Sequence, residues 1–194
     1  NDLLIESLTL NSLAPKKFTD DEFNNIIITN LIKFGKRKKA FEIINILDEN
    51  STHYDFYNSF KLKYYFSVYE LNQACDFSNT IDRKKTTINK NFLLKVDIFC
   101  TFIQDKVEEA DFLNSLLEDV NDQDEYFQKI FMNLKKLDKS KIDINLYNYD
   151  EGSMSLYSAM LRVGDMPLNV EFLEHDSVNF SMPIVLSKSS DIAL

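Results

Sequence analysis

Residues 62–81 read LKYYFSVYELNQACDFSNTI, and this stretch decides the fold because its apolar pattern occurs three times. The other two copies are residues 28–47 and 98–117. Each copy is centred on an alanine, at Ala40, Ala74 and Ala110. The alanines are 34 and 36 residues apart. A period of this length predicts a repeated unit of two helices joined by a turn.

Large apolar residues recur 12 and 8 residues before each alanine and 3 and 7 residues after it. These residues are Ile28, Ile32, Ile43 and Leu47 in the first copy, Leu62, Phe66, Phe77 and Ile81 in the second, and Ile98, Phe102, Leu113 and Leu117 in the third. Steps of four and three residues place side chains on one face of a helix. One hairpin cannot bury both of its faces, so we expect several to stack.

The composition agrees with a helical protein. The chain has 194 residues, of which 44% are hydrophobic, and it contains only three glycines and three prolines. So few backbone breakers disfavour a turn-rich β-sandwich. We predict an all-α solenoid of antiparallel helical hairpins over residues 1–138. Thr19 and Glu22 have the spacing of a capping box at the start of the first repeat, and Gly35 is predicted to supply its turn.

For residues 139–194 we predict an irregular segment, with a short strand as one alternative, and then a C-terminal helical hairpin packed on the array. Its helices are predicted over residues 153–163 and from Pro167 to Glu174, with the turn at Gly164-Asp165.

The pattern resembles the tetratricopeptide repeat over residues 20–135, because the three alanines match that family's small residue early in the second helix and Tyr65 matches its aromatic position. The array is a divergent one, since Ile28, Leu62 and Ile98 are large where the family has a small residue. The resemblance implies that the first helices line a concave face that binds a protein or peptide. The matching positions on that face are Asn25, Thr29, Lys33, Ser59, Lys63, Ser67, Lys95 and Phe99. Its three lysines suit a peptide carboxylate.

The two cysteines, Cys75 and Cys100, form the sharpest local feature. Cys75 begins the second helix of one predicted hairpin, and Cys100 lies near the end of the first helix of the next. Because consecutive helices in such an array run antiparallel, the two thiols are expected to reach the ~5.5 Å Cα separation of a disulfide. The alternative is that both are reduced and buried as small hydrophobic residues. A disulfide indicates an oxidising compartment.

The residues from Ala74 to Asp105 are also similar to a group of exported bacterial helical-repeat proteins of unassigned function. That resemblance implies a periplasmic or otherwise exported location, and the alternative is the cytoplasm. The chain begins with Asn1, which suggests a fragment or a processed product. Its oligomeric state is left open.

The formal net charge of −9 argues against nucleic acid as a partner, because phosphate binding needs clustered Lys and Arg. The two basic runs, residues 36–39 and 83–85, lie at predicted turns and are interpreted as solvated. The first also fits a favourable charge cluster near a helix C-terminus, at Phe34-Gly35. No stretch approaches the ~18 consecutive apolar residues of a membrane span.

No catalytic or cofactor-binding motif is found in the sequence. The only histidines, His53 and His175, have no metal-binding spacing, and two cysteines 25 residues apart do not form a metal site. We therefore predict a non-enzymatic interaction or scaffold module, without cofactor or metal, that binds a protein or peptide. The alternatives are a non-catalytic helical domain of a larger envelope enzyme and a permanent structural subunit of an assembly.

Overall fold

A computed structural model describes residues 17–47, 51–119, 124–143 and 149–168. Within these ranges the regular structure is helical and no strand is present, which confirms the all-α class. The helices are α1 (Asp20–Lys33), α2 (Arg37–Ile44), α3 (Tyr54–Ser67), α4 (Leu71–Thr80), α5 (Lys90–Ile103), α6 (Val107–Asp119), α7 (Glu125–Lys136) and α8 (Met154–Val163). A 3-10 turn over Glu151–Ser153 leads into α8.

The chain divides into two compact units, Asn1–Lys61 and Leu62–Leu194. In the first unit, α1 packs against α2. In the second, α4 packs against α5, α5 against α6, and α7 against α8. The predicted division after residue 138 stays a prediction.

Each of the three alanine-centred copies turns between its helices in the same way. The residue five positions before the alanine has a left-handed backbone, with φ of 71° at Gly35, 64° at Tyr69 and 61° at Asp105. The next residue donates its N–H back across the turn, and the N···O distances are 2.8 Å from Lys36 to Leu31, 2.9 Å from Glu70 to Tyr65 and 3.2 Å from Lys106 to Thr101. This is the Schellman ending of a helix, which satisfies carbonyls that the helix itself leaves without a partner.

The repeated alanine follows from this turn. The residue after the left-handed one also begins the next helix, because its carbonyl accepts from the alanine N–H at 2.9–3.1 Å in all three copies. The two helices are thus separated by only three residues, and all three alanine side chains are fully buried. A larger side chain at this point would force the helices apart.

The same turn occurs twice more after α7 and α8, beyond the three alanine-centred copies. Leu137 and Asp165 have φ of 54° and 51°, and the N–H groups of Asp138 and Met166 donate to Asn133 and Leu161, both at 2.9 Å. The predicted turn at Gly164-Asp165 is therefore present, with Asp165 as its left-handed residue.

The apolar skeleton forms much of the core. Ile28, Leu62 and Ile98, which precede the alanines by 12 residues, are fully buried. In the second unit the core includes Phe66 and Phe99, whose ring centroids lie 6.1 Å apart. Phe102 contacts Phe131 edge to face at 5.8 Å and so joins α5 to α7.

Several predicted details are confirmed and others need correction. The N-terminus of α1 is a capping box, since Thr19 Oγ1 accepts from Glu22 N at 3.2 Å and the Glu22 carboxylate accepts from Thr19 N at 2.9 Å. Residues 166–168 are not helical, so the predicted second helix of the C-terminal hairpin does not begin at Pro167. The rest of that predicted helix lies outside the described residues, as does the middle of the segment from residue 140 to 152.

Candidate functional site

Five of the eight residues predicted for the binding face are accessible. In the first unit Lys33 is exposed, and Asn25, Thr29 and Ser59 are partly exposed. In the second unit Lys63 is partly exposed, and its Nζ lies 5.4 Å from the centroid of the Phe92 ring. These five residues remain candidates for contact with a partner.

The other three residues are buried, and they are removed from the candidate face. Ser67 donates its hydroxyl to the Tyr64 carbonyl at 2.7 Å, and Phe99 lies in the core against Phe66. Lys95, which the tetratricopeptide resemblance assigned to a peptide carboxylate, is only 1% exposed. The assignment is wrong because the resemblance does not show which side of α5 is covered by later helices.

Lys95 instead belongs to a buried polar cluster in the second unit. Its Nζ lies 2.5 Å from Oδ2 of Asp124, a residue that is 6% exposed. Tyr157, on α8, is fully buried and donates its hydroxyl to the same Asp124 oxygen. The other Asp124 oxygen accepts from the Phe127 N–H at 3.1 Å and so caps α7. One carboxylate therefore joins three helices.

The edge of this cluster is formed by Asp150. Its carboxylate lies 4.0 Å from Lys95 Nζ and accepts from the Ser153 hydroxyl at 2.6 Å, while its backbone N–H donates to the Tyr157 oxygen at 3.3 Å. Burial, followed by the charge of Asp124, raises the pKa of Tyr157 well above its ordinary value. Tyr157 therefore keeps its proton and remains a hydrogen-bond donor at neutral pH.

The chemistry available to this cluster is structural. An ion pair in the interior stabilises only when its remaining hydrogen-bonding capacity is satisfied, and here Tyr157 and the Phe127 N–H satisfy the carboxylate. Lys95 and Tyr157 are both buried. The cluster fixes α5, α7 and α8 relative to one another inside the second unit.

A second group of side-chain contacts joins α4 to α5. The sulfur atoms of Cys75 and Cys100 lie 1.98 Å apart with a Cα separation of 5.6 Å, so the predicted pair stands at disulfide distance. One turn further along, Arg83 donates to Asp97 at 2.6 Å and to the Ser78 hydroxyl at 2.8 Å. Arg83 also donates to the Ser78 carbonyl at 2.8 Å and so caps the end of α4.

The sequence does contain a signal for the buried cluster. Lys95 is the one cation inside the largely apolar stretch Phe92–Phe99, and a charge within such a stretch indicates a buried partner. Asp124 directly precedes a helical apolar pattern, which is the position of an N-cap. The sequence alone cannot pair these two residues, because they are 29 positions apart.

In the first unit, Asp21 links two segments through its side chain. It accepts from the Ser51 hydroxyl at 2.5 Å, the Thr52 hydroxyl at 2.7 Å and the Thr52 N–H at 3.1 Å. These hydrogen bonds, that from Ser51 first, hold the pKa of Asp21 below its ordinary value. Asp21 therefore ties the start of α1 to the residues just before α3.

Among the described residues, no group of three or more His, Cys, Asp and Glu side chains is arranged to hold a metal ion. Within the same ranges, no helix is both long and apolar enough to cross a membrane. His53 lies 6.1 Å from the Tyr57 ring, and His175 is outside the described residues.

No family model, no curated protein and no solved structure matches this chain. The described residues form an all-helical protein that is compatible with a helical-repeat fold.

Proposed function

We propose that this chain is a non-enzymatic module that binds a protein or peptide on tetratricopeptide-like helical hairpins. The observation that carries the proposal is the threefold repetition of one hairpin. Each copy has a residue with a left-handed backbone at the same turn position and a buried alanine five positions later. Repeats of this kind present the same helix position several times, which suits an elongated partner.

The proposed contact residues are Asn25, Thr29, Lys33 and Ser59 in the first unit and, taken by itself, Lys63 in the second. They are polar side chains on the first helices of two hairpins, and the two lysines favour an acidic group on the partner. Polar side chains of this kind form the rim of an interface more often than its centre. A partner that relies on them is therefore expected to bind reversibly.

The proposal is tested by affinity purification from the source organism, followed by mass spectrometry and then by binding measurements on the protein that is enriched. The double variant Lys33→Glu/Lys63→Glu is expected to weaken binding of that partner by about tenfold or more. The control is Lys129→Glu, an exposed charge reversal on α7. If no protein is enriched over a reduced and alkylated control chain, the proposed function is wrong.

We further propose that the protein works in an oxidising compartment outside the cytoplasm. The support is the cysteine pair at disulfide distance, because such bonds persist where thiols are not kept reduced. Fractionation of the source cells and thiol labelling of the native chain test this proposal. Both cysteines reacting with the label before any reduction is the contrary result.

A further inference from the structure

The turn between α1 and α2 is far more basic than the matching turns of the other two copies. Five of the seven residues at positions 33–39 are Lys or Arg, and none is acidic. The equivalent window at 67–73 contains a single glutamate, and that at 103–109 has one lysine against three acidic residues. All three windows make the same turn with the same hydrogen bonds. The repeat itself thus shows that the basic charge is not needed to form the hairpin.

The basic residues also oppose the helix that they begin. Arg37, Lys38 and Lys39 occupy the first turn of α2, which contains no acidic residue, and its N-cap Lys36 makes no side-chain capping bond. The N-terminus of a helix carries a partial positive charge, so cations there are unfavourable. In α1, by contrast, the first turn holds Asp20, Asp21 and Glu22. The charge is thus placed where it does not favour α2, and the other two copies form the same turn without it.

An apolar group completes this surface. Phe34, at the end of α1, is 57% exposed, whereas Val68 at the same position of the second copy is only partly exposed. We define the basic tip as Phe34, Lys36, Lys38 and Lys39, of which the first three are exposed and Lys39 is partly exposed. An exposed aromatic residue flanked in the sequence by cations suits an acidic ligand that also carries an apolar side chain.

We propose that the basic tip binds an acidic segment of a partner protein, a segment in which carboxylates flank an apolar side chain that packs on Phe34. This inference rests on the proposed function and adds a second contact to it. A peptide segment is a better ligand for the tip than an anionic membrane or a nucleic acid. The chain as a whole repels an extended anionic surface, because its net charge is −9. A short segment meets only the tip, since charges beyond about 8 Å are screened at physiological salt.

The test measures fluorescence anisotropy of a short labelled peptide of Glu, Gly and Leu with the native oxidised protein. A matched peptide has Gln in place of every Glu. We expect the Glu peptide to bind, the Gln peptide to bind at least about tenfold more weakly, and added salt to weaken the Glu peptide. The variant Lys38→Glu/Lys39→Glu is expected to lower affinity at least about tenfold, and Phe34→Ser several-fold.

The control variant is Lys84→Glu/Lys85→Glu, which makes the same change of charge at two exposed lysines in the loop after α4. It should leave peptide affinity within about twofold. Thermal melting adds a second readout, because Lys38→Glu/Lys39→Glu relieves the repulsion at the start of α2 and should not lower the melting temperature. Loss of binding with unchanged or higher stability separates a binding role from a structural one.

The inference is overturned if the Lys38→Glu/Lys39→Glu variant binds the peptide as well as the native chain does, or if the Gln peptide binds equally. It is also overturned if phosphatidylglycerol vesicles or duplex DNA bind more tightly than the Glu peptide. A partner that is enriched from cells and still binds this variant contradicts the basic tip and leaves the proposed function standing. An enriched partner whose affinity falls in the Lys38→Glu/Lys39→Glu variant and not in Lys33→Glu/Lys63→Glu supports the basic tip and contradicts the contact residues of the proposed function.

Discussion

The first and third hairpins share one skeleton and differ in how they are held. The α1–α2 hairpin buries four residues of its first helix, and the partly exposed Asp21 ties that helix to a later segment. In the α5–α6 hairpin, the first helix buries seven residues and carries both Lys95 and Cys100. The alanine and the left-handed turn residue therefore specify the hairpin, whereas side chains that are not part of the repeated apolar pattern determine how firmly it is held.

The largest effect is expected at Asp124, which forms the buried ion pair with Lys95 of the third hairpin. Asp124→Ala leaves Lys95 as an uncompensated buried charge and removes the cap of α7, which should cost about 3–5 kcal/mol of unfolding free energy. Asp111→Ala is the matched control, because Asp111 lies at the same 2.5 Å from Lys135 but both side chains are at least one-third exposed. The control should cost less than about 1 kcal/mol. Urea denaturation measures both, and equal losses would contradict the importance of burial.

The disulfide gives the next largest effect. Cys75 and Cys100 are 25 residues apart, and closing a loop of that length stabilises by about 3 kcal/mol in the chain-entropy model. We expect Cys75→Ser/Cys100→Ser to lose about that amount and to become insensitive to reductant. The native chain should lose a similar amount when dithiothreitol is added. A urea midpoint that does not move on reduction would show that the thiols are unpaired in solution.

The hairpins could be predicted from the sequence because their determinants are local. Helical spacing, the capping box at Thr19 and the turn at Gly35 all depend on residues a few positions apart. The left-handed residue of the second copy is harder to identify, although it lies five positions before Ala74, as Gly35 lies before Ala40. The identity of Tyr69 does not indicate a left-handed turn, because tyrosine does not favour a positive φ.

The candidate binding face could be predicted only in part, and Lys95 shows why. Its place on a first helix follows from the repeat, but its burial depends on Asp124 and Tyr157, which belong to later segments without the repeat. Pairing residues so far apart in the chain needs the tertiary structure. The disulfide was predictable because both cysteines lie inside the repeated region, where antiparallel helices bring them together.

A smaller and pH-dependent effect is expected in the first unit. The folded-state pKa of Asp21 is lowered, so its hydrogen bonds stabilise above the unfolded pKa, near 3.8, and this contribution is lost as the pH falls through the folded value. Asp21→Asn should cost about 1 kcal/mol at pH 7, and the difference from the native chain should shrink below about pH 4. The exposed Asp20→Asn is the control. Hydrogen exchange of the α1 amides measures the effect, and a pH-independent difference would contradict it.

The smallest effect tests whether the shared turn is equally favourable in the two units. Gly35 suits its φ of 71°, whereas Leu137 has a φ of 54°, is 85% exposed and occupies the same Schellman position after α7. A left-handed conformation costs an L-residue about 1–2 kcal/mol, offset in part by the greater flexibility of glycine when unfolded. Leu137→Gly should therefore raise the unfolding free energy by about 0.5–1 kcal/mol. Leu137→Ala keeps the strained backbone and should give no such gain.

The reverse change, Gly35→Ala, should cost about 1 kcal/mol from the backbone alone, since a Cβ at Gly35 meets no atom within 4 Å.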